Sequence, residues 1–266
     1  MASSDPKPTL LLAHGAWHPP HLYQPLKDAL AKRGYTLIMP ALPTMGKEAR
    51  SVTLDADIQA LLDAAEPLFA EGKEVILVAH SYGGIPATVA TRSNSTAERK
   101  VAGKTGGFKH IAYLAAFAIP VAGLSNLTAV PGGQWMPWHK LIVDSQTPGG
   151  KGDKIEQLFL HEDLAKPLLY NDLADKAADD MFAQLVPQSY AATVQPLEFA
   201  VADVTIPKTY IVCEKDAAFP VPLQKHLASG SGFVQKSVSG GHSAFASVPD
   251  ELAEVLVRIA EGKDKD

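Results

Sequence analysis

The chain has 266 residues, 46% of them hydrophobic, and its 24 Lys and Arg against 29 Asp and Glu give a formal net charge of -5. This is enough apolar material for one sizeable core in a single domain over residues 1–266. With no block of Lys or Arg to track phosphates it excludes nucleic acid as a partner. The lone cysteine, Cys213, excludes an intrachain disulfide and fits a reducing compartment.

Met1-Ala2-Ser3-Ser4-Asp5-Pro6 has neither the basic residues nor the apolar stretch of an export signal, so a cytoplasmic protein is expected. Thr9–Leu12 reads as a buried strand, followed by the turn His14-Gly15-Ala16-Trp17. Leu22, Leu26 and Leu30 predict a helix stopped by Gly34, and Thr36–Met39 a second strand. Thr53 then reads as the N-cap of a helix with Asp55 and Asp57 in its first turn and Leu54, Ile58, Leu61, Leu62 and Ala65 on one face. Further strands are expected at Val75–Val78, His110–Leu114, Thr209–Cys213 and Phe233–Ser237. The apolar run from Ile111 stops at Pro120, too short to span a bilayer, so no membrane partner is expected.

Alternating strands and helices predict an α/β fold with a parallel sheet. The alternation breaks over about 121–200, where Pro131-Gly132-Gly133 and Pro148-Gly149-Gly150 surround a segment of helical spacing, Ile155 to Leu169. This predicts an inserted helical cap between core segments 1–120 and 201–266. A last helix opens at Pro249 and ends near Gly262, leaving Lys263–Asp266 as a frayed, solvated end.

Acyl transfer needs an activated nucleophile, a base, an acid that orients the base, and donors for the oxyanion. Val78-Ala79-His80-Ser81-Tyr82-Gly83-Gly84 follows a strand and precedes the helix-compatible run Ile85–Ala90. It therefore reads as a nucleophile elbow with Ser81 at its apex, although Ala79 departs from the strict G-x-S-x-G pattern. The competing reading is a serine that merely caps the next helix. His242, in Gly240-Gly241-His242 after the final strand, is the expected base. Asp216, in the turn Glu214 to Pro220, is the expected acid, with Glu214 its rival. The backbone N–H groups of Tyr82 and Ala16 are the expected oxyanion donors, and Gly15 beside them would permit an unusual backbone geometry.

His14, His18 and His21 have no companion acid or cysteine in the pattern of a metal site, and Gly83-Gly84 lacks the spacing of a phosphate loop. Neither metal nor cofactor is expected. Cys213 reads as a small buried hydrophobe.

In the stretches Leu11–Trp17, His80–Gly84, Tyr210–Asp216 and Gly240–His242 the chain resembles the plant methylesterase and hydroxynitrile lyase branch of the α/β-hydrolase superfamily, with its microbial esterase relatives. The resemblance implies a parallel sheet of about six strands with a mainly helical cap, the triad Ser81, Asp216 and His242, and oxyanion amides at Ala16 and Tyr82. Members of the lyase type carry a lysine after the histidine and a threonine at the place of Gly15; here Ser243 and Gly15 stand there, which favours hydrolysis. A small-molecule ester or lactone is thus the expected substrate, with a carbon–carbon lyase, an isomerase or a ligand-binding protein as alternatives. Trp17, Trp135, Trp138 and Phe219, with Gly15, are the expected substrate contacts, among apolar cap residues that include Met136, Leu158, Phe159, Tyr170, Met181 and Phe182. The oligomeric state is left open, a homodimer included.

Overall fold

Among the described residues there are nine strands: β1 Thr9–Ala13, β2 Leu37–Ile38, β3 Glu74–His80, β4 Gly107–Leu114, β5 His139–Asp144, β6 Lys154–Leu160, β7 Gln188–Ser189, β8 Lys208–Cys213 and β9 Val234–Val238. The computed structural model describes residues 7–144, 154–230 and 232–264. The readings of Met1–Pro6, of Pro148–Gly150 and of Lys265 and Asp266 fall outside the described residues.

Six strands form an all-parallel sheet in the order β2-β1-β3-β4-β8-β9, flanked by helices. The inner strands are buried along nearly their whole length, from Thr9–Ala13 on β1 to Val75–His80 on β3, because helices cover both faces and no alternation with polar residues survives there. The edge strand β9 alternates instead, with Gln235 and Ser237 exposed between more buried neighbours. Helix Gln24–Lys32 packs on helix Pro249–Ala260, and helix Leu54–Ala70 on Gly84–Ala90. Gly34 and Gly262 follow the first and last of these at φ 75° and 69°, the left-handed stop that glycine adopts without penalty. Among the described residues no helix is long and apolar enough to cross a membrane.

Three local expectations are corrected. Ile155 to Leu169 is a strand and a helix, β6 then Glu162–Leu169, with the break at His161. Apolar residues at 155, 158 and 159 recur at the helical i, i+3, i+4 spacing, but antiparallel pairing of β6 with both β5 and β7 makes the first half a strand. The inserted segment therefore combines helices with a three-stranded antiparallel sheet, β5-β6-β7. Thr53 occupies the N-cap position but makes no capping bond; its hydroxyl donates to Asp55. Asp57 lies in the first turn as expected and is fully buried there. Asp264, expected to fray, is 5% exposed and accepts a hydrogen bond from Thr209 at 2.8 Å.

Candidate active site

Three strand ends converge at the carboxyl edge of the sheet. Ser81 follows β3, Asp216 follows β8, and His242 follows β9, the side on which open parallel sheets place their functional loops. Ser81 has φ 52°, a strained geometry for a residue with a Cβ. The turn closes because a Cβ on Gly83 would run into the Ala13 carbonyl and one on Gly84 into the Phe117 carbonyl. Ala79 is fully buried in register between Ala13 of β1 and Tyr113 of β4, so the departure from the strict motif costs no space.

His242 joins the other two residues. Its Nε2 lies 3.1 Å from Ser81 Oγ and its Nδ1 2.8 Å from Asp216 Oδ2. Asp216 accepts further bonds from the backbone N–H groups of Ala218 at 2.9 Å and Phe219 at 2.8 Å, and from Gln224 Nε2 at 2.9 Å. Glu214, the rival acid, is exposed. The acid's position is over-determined: Gln224 also donates to the Phe219 carbonyl and accepts from the Cys213 N–H. An Nδ1 that donates to a carboxylate leaves Nε2 as an acceptor facing Ser81, the tautomer a general base requires.

The loop after β1 hangs on neutral histidines. His14 Nε2 accepts from the Leu42 N–H at 3.0 Å, so Nδ1 donates to the Gly15 carbonyl at 3.0 Å. His18 Nδ1 donates to the Ala16 carbonyl at 2.7 Å and Nε2 accepts from the Tyr170 hydroxyl at 2.9 Å. The Gly15 N–H donates to Tyr23 Oη, which donates to His80 Nδ1, while His80 Nε2 donates to the His242 carbonyl. Each ring accepts at one nitrogen and donates at the other, which only neutral imidazole does. Burial enforces this state, pushing His14 down to about 4, His18 to about 3 and His80 well below the usual range. Because the Gly15 carbonyl and the Ala16 N–H belong to one planar peptide, His14 fixes the direction of that N–H.

One expectation about this loop changes. Gly15 has no positive φ; the strained residue is Trp17, at φ 62°. Trp17 is pinned by its N–H on Met45 sulfur, its indole N–H on the Leu158 carbonyl, and its own carbonyl under the Val186 N–H. Glycine is required at 15 because of His80, whose Nδ1 would sit 2.7 Å from a Cβ there.

A cavity of about 390 Å³ opens over Ser81. Ala16, Trp17, Tyr82, Trp135, Trp138, Phe219 and His242 line it, as do Met136 and Leu158, whereas Gly15, Phe159, Tyr170, Met181 and Phe182 do not. Its aromatic wall is continuous: Trp138 packs edge-on against Trp17 at 5.8 Å between centroids and stacks on His139 at 4.1 Å. Among the described residues no three His, Cys, Asp or Glu side chains group as a metal would need.

Sequence reasoning missed Gln224, Asp57 and Tyr23. Asp57 receives the Tyr82 hydroxyl at 2.8 Å, the Thr44 hydroxyl at 2.6 Å and the Thr44 N–H at 2.9 Å. It thereby anchors the ring of the residue next to Ser81. The one available signal was an acid at the first turn of a helix, and surface placement was its ordinary reading.

The model of the alpha/beta hydrolase family matches residues 10–255. An alpha/beta hydrolase of Aspergillus novofumigatus is 29% identical over 97% of this chain and 98% of its own length. A carbendazim hydrolyzing esterase of Nocardioides is 31% identical over 94% of this chain and 98% of its own. Among solved structures, polyneuridine aldehyde esterase superposes with a TM-score of 0.76 at 17% identity, covering 96% of this chain and 100% of that one. On the extent of the family match and the sheet order alike, this chain belongs to the alpha/beta hydrolase family.

Proposed function

We propose that the chain is a serine hydrolase that cleaves a carboxylic ester or lactone of a small apolar or aromatic substrate through an acyl-enzyme. The observation that carries this reading is His242, placed 3.1 Å from the Ser81 hydroxyl with its other nitrogen on Asp216. Ser81 Oγ attacks the carbonyl carbon as its proton passes to His242 Nε2, and the Ala16 and Tyr82 N–H groups hold the oxyanion. The tetrahedral adduct collapses by breaking the bond to the alcohol oxygen, which takes the proton from His242. Water then repeats the sequence on the acyl-enzyme, frees the acid and restores Ser81. Asp216 keeps the imidazole in the working tautomer and stabilises its transient positive charge. The aromatic wall supports an apolar or aromatic group next to the scissile carbonyl, and relatives named as esterases support ester cleavage.

The test is a panel of short-chain, aromatic and lactone esters assayed with the wild type and Ser81→Ala. Loss of the side chain should lower turnover by at least about a thousandfold with the fold intact, and a slowly hydrolysed ester should leave its acyl mass on Ser81. Equal turnover by Ser81→Ala, or turnover with no acyl adduct on any substrate, would replace acyl transfer with another chemistry.

A further inference from the structure

Three consecutive residues of the inserted segment, Tyr170, Asn171 and Asp172, follow the helix Glu162–Leu169, and each ends on a different loop around Ser81. The Tyr170 hydroxyl donates to His18, which in turn holds the Ala16 carbonyl of the oxyanion loop. Asn171 Nδ2 donates at 2.8 Å to the carbonyl of Lys215, the neighbour of Asp216. Asp172 Oδ2 accepts at 2.5 Å from the N–H of Gly241, the neighbour of His242. The acid and base loops are also joined directly, Lys215 N–H to the Gly240 carbonyl at 2.9 Å.

The fit leaves no slack. A Cβ on Gly241 would lie 2.5 Å from Asn171 Oδ1 and 2.8 Å from Asp172 Oδ1, so a larger residue there would lift the pair away. Asp172 Oδ1 is itself buried without a hydrogen-bond partner, a cost that surface placement would remove.

We propose that Tyr170–Asp172 is a clasp of positioning residues that sets the oxyanion loop, the acid and the base relative to one another, so that seating of the inserted segment is transmitted to the Ser81, His242 and Asp216 geometry. The proposal rests on the serine-hydrolase reading. None of the three residues lines the cavity, so ground-state binding does not use them. Displacements of about 1 Å at reacting groups cost up to about a hundredfold in rate. Their loss therefore falls on turnover, not on substrate affinity.

The experiment compares the full-length wild type with Asp172→Ala, Asp172→Asn and Tyr170→Phe on an ester that the wild type hydrolyses, alongside the rate of Ser81 labelling by a fluorophosphonate. Asp172→Ala should lower kcat at least about tenfold with KM within about twofold, and slow labelling in parallel. Asp172→Asn, whose amide oxygen accepts the same Gly241 N–H, should restore most of it. Tyr170→Phe should lower kcat by a smaller factor. Folded Asp172→Ala and Tyr170→Phe with wild-type kcat, a loss confined to KM, or Asp172→Asn as impaired as Asp172→Ala would each overturn the clasp. Should Asp172→Ala not fold, Tyr170→Phe, which keeps the ring, decides. A wild type that neither labels nor hydrolyses any ester refutes the hydrolase reading and the clasp with it; an active wild type with indifferent variants refutes the clasp alone.

Discussion

A Cβ on Gly15 would lie 2.7 Å from Nδ1 of His80, so the turn after β1 and the residue preceding Ser81 compete for one volume. Gly15→Ala overpacks that contact and pushes His80 off the Tyr23 hydroxyl, at a cost of about 1–3 kcal/mol. In the His80→Ala background the competitor is gone and the same substitution should cost less. A double-mutant cycle by urea unfolding should return a coupling of at least about 0.5 kcal/mol. Additive losses would mean that the contact relaxes freely.

Gln224 is fully buried and spends its side chain on Asp216, the Phe219 carbonyl and the Cys213 N–H. Gln224→Met keeps the length and removes all three bonds. It strands a buried backbone N–H, for a stability loss of about 1–3 kcal/mol. Asp216 retains its two backbone donors, so kcat should fall without being abolished. A variant with unchanged kcat and unchanged unfolding midpoint would show that the backbone N–H groups alone hold the acid.

The six strands of the parallel sheet, Ser81, Asp216 and His242 were legible because each leaves a local mark: an apolar run, a small-residue elbow, a histidine or acid just past a strand. Trp17, Trp135, Trp138 and Phe219 were legible as aromatics near those loops, and the cavity includes them. Gly15 was singled out for the wrong reason, since its constraint is set by a residue 65 positions away in sequence, His80. The roles of Asp57, Gln224 and Asp172 depend on partners brought close only by folding, and no spacing announces them. The strand Lys154–Leu160 escaped because its apolar residues at 155, 158 and 159 keep helical spacing and its pairing partners lie outside it in sequence.

Asp57 carries a pH prediction. Desolvation by burial outweighs its hydrogen bonds from Thr44 and Tyr82 and raises its carboxyl to about 6. With the folded pKa above the unfolded one, the native state binds more protons between about pH 4 and 6, and its stabilising contribution fades as pH rises through that window. The stability difference between wild type and Asp57→Asn should therefore shift against the wild type, by on the order of 2–3 kcal/mol, from pH 3.5 to pH 7. Parallel urea-unfolding curves across that range would sink the assignment.

His14 and His18 act in the opposite direction. Burial lowers them to about 4 and about 3, so below about pH 6.5 the unfolded chain takes up protons that the native rings refuse, and stability falls as pH falls. Each contributes a slope of about 1.4 kcal/mol per pH unit, Asp57 cancels about one such slope between pH 4 and 6, and a net loss remains. At pH 5 each histidine has removed about 2 kcal/mol, a sizeable share of the roughly 5–15 kcal/mol that holds a domain folded. Unfolding free energies measured from pH 7 to 4.5 should decline for the wild type, and His18→Gln should flatten the decline by close to one proton. The same slope in both would place a charge on folded His18, which its bonds to the Ala16 carbonyl and the Tyr170 hydroxyl could then satisfy only if the tyrosine turned its oxygen lone pair toward the ring and gave up its role as donor.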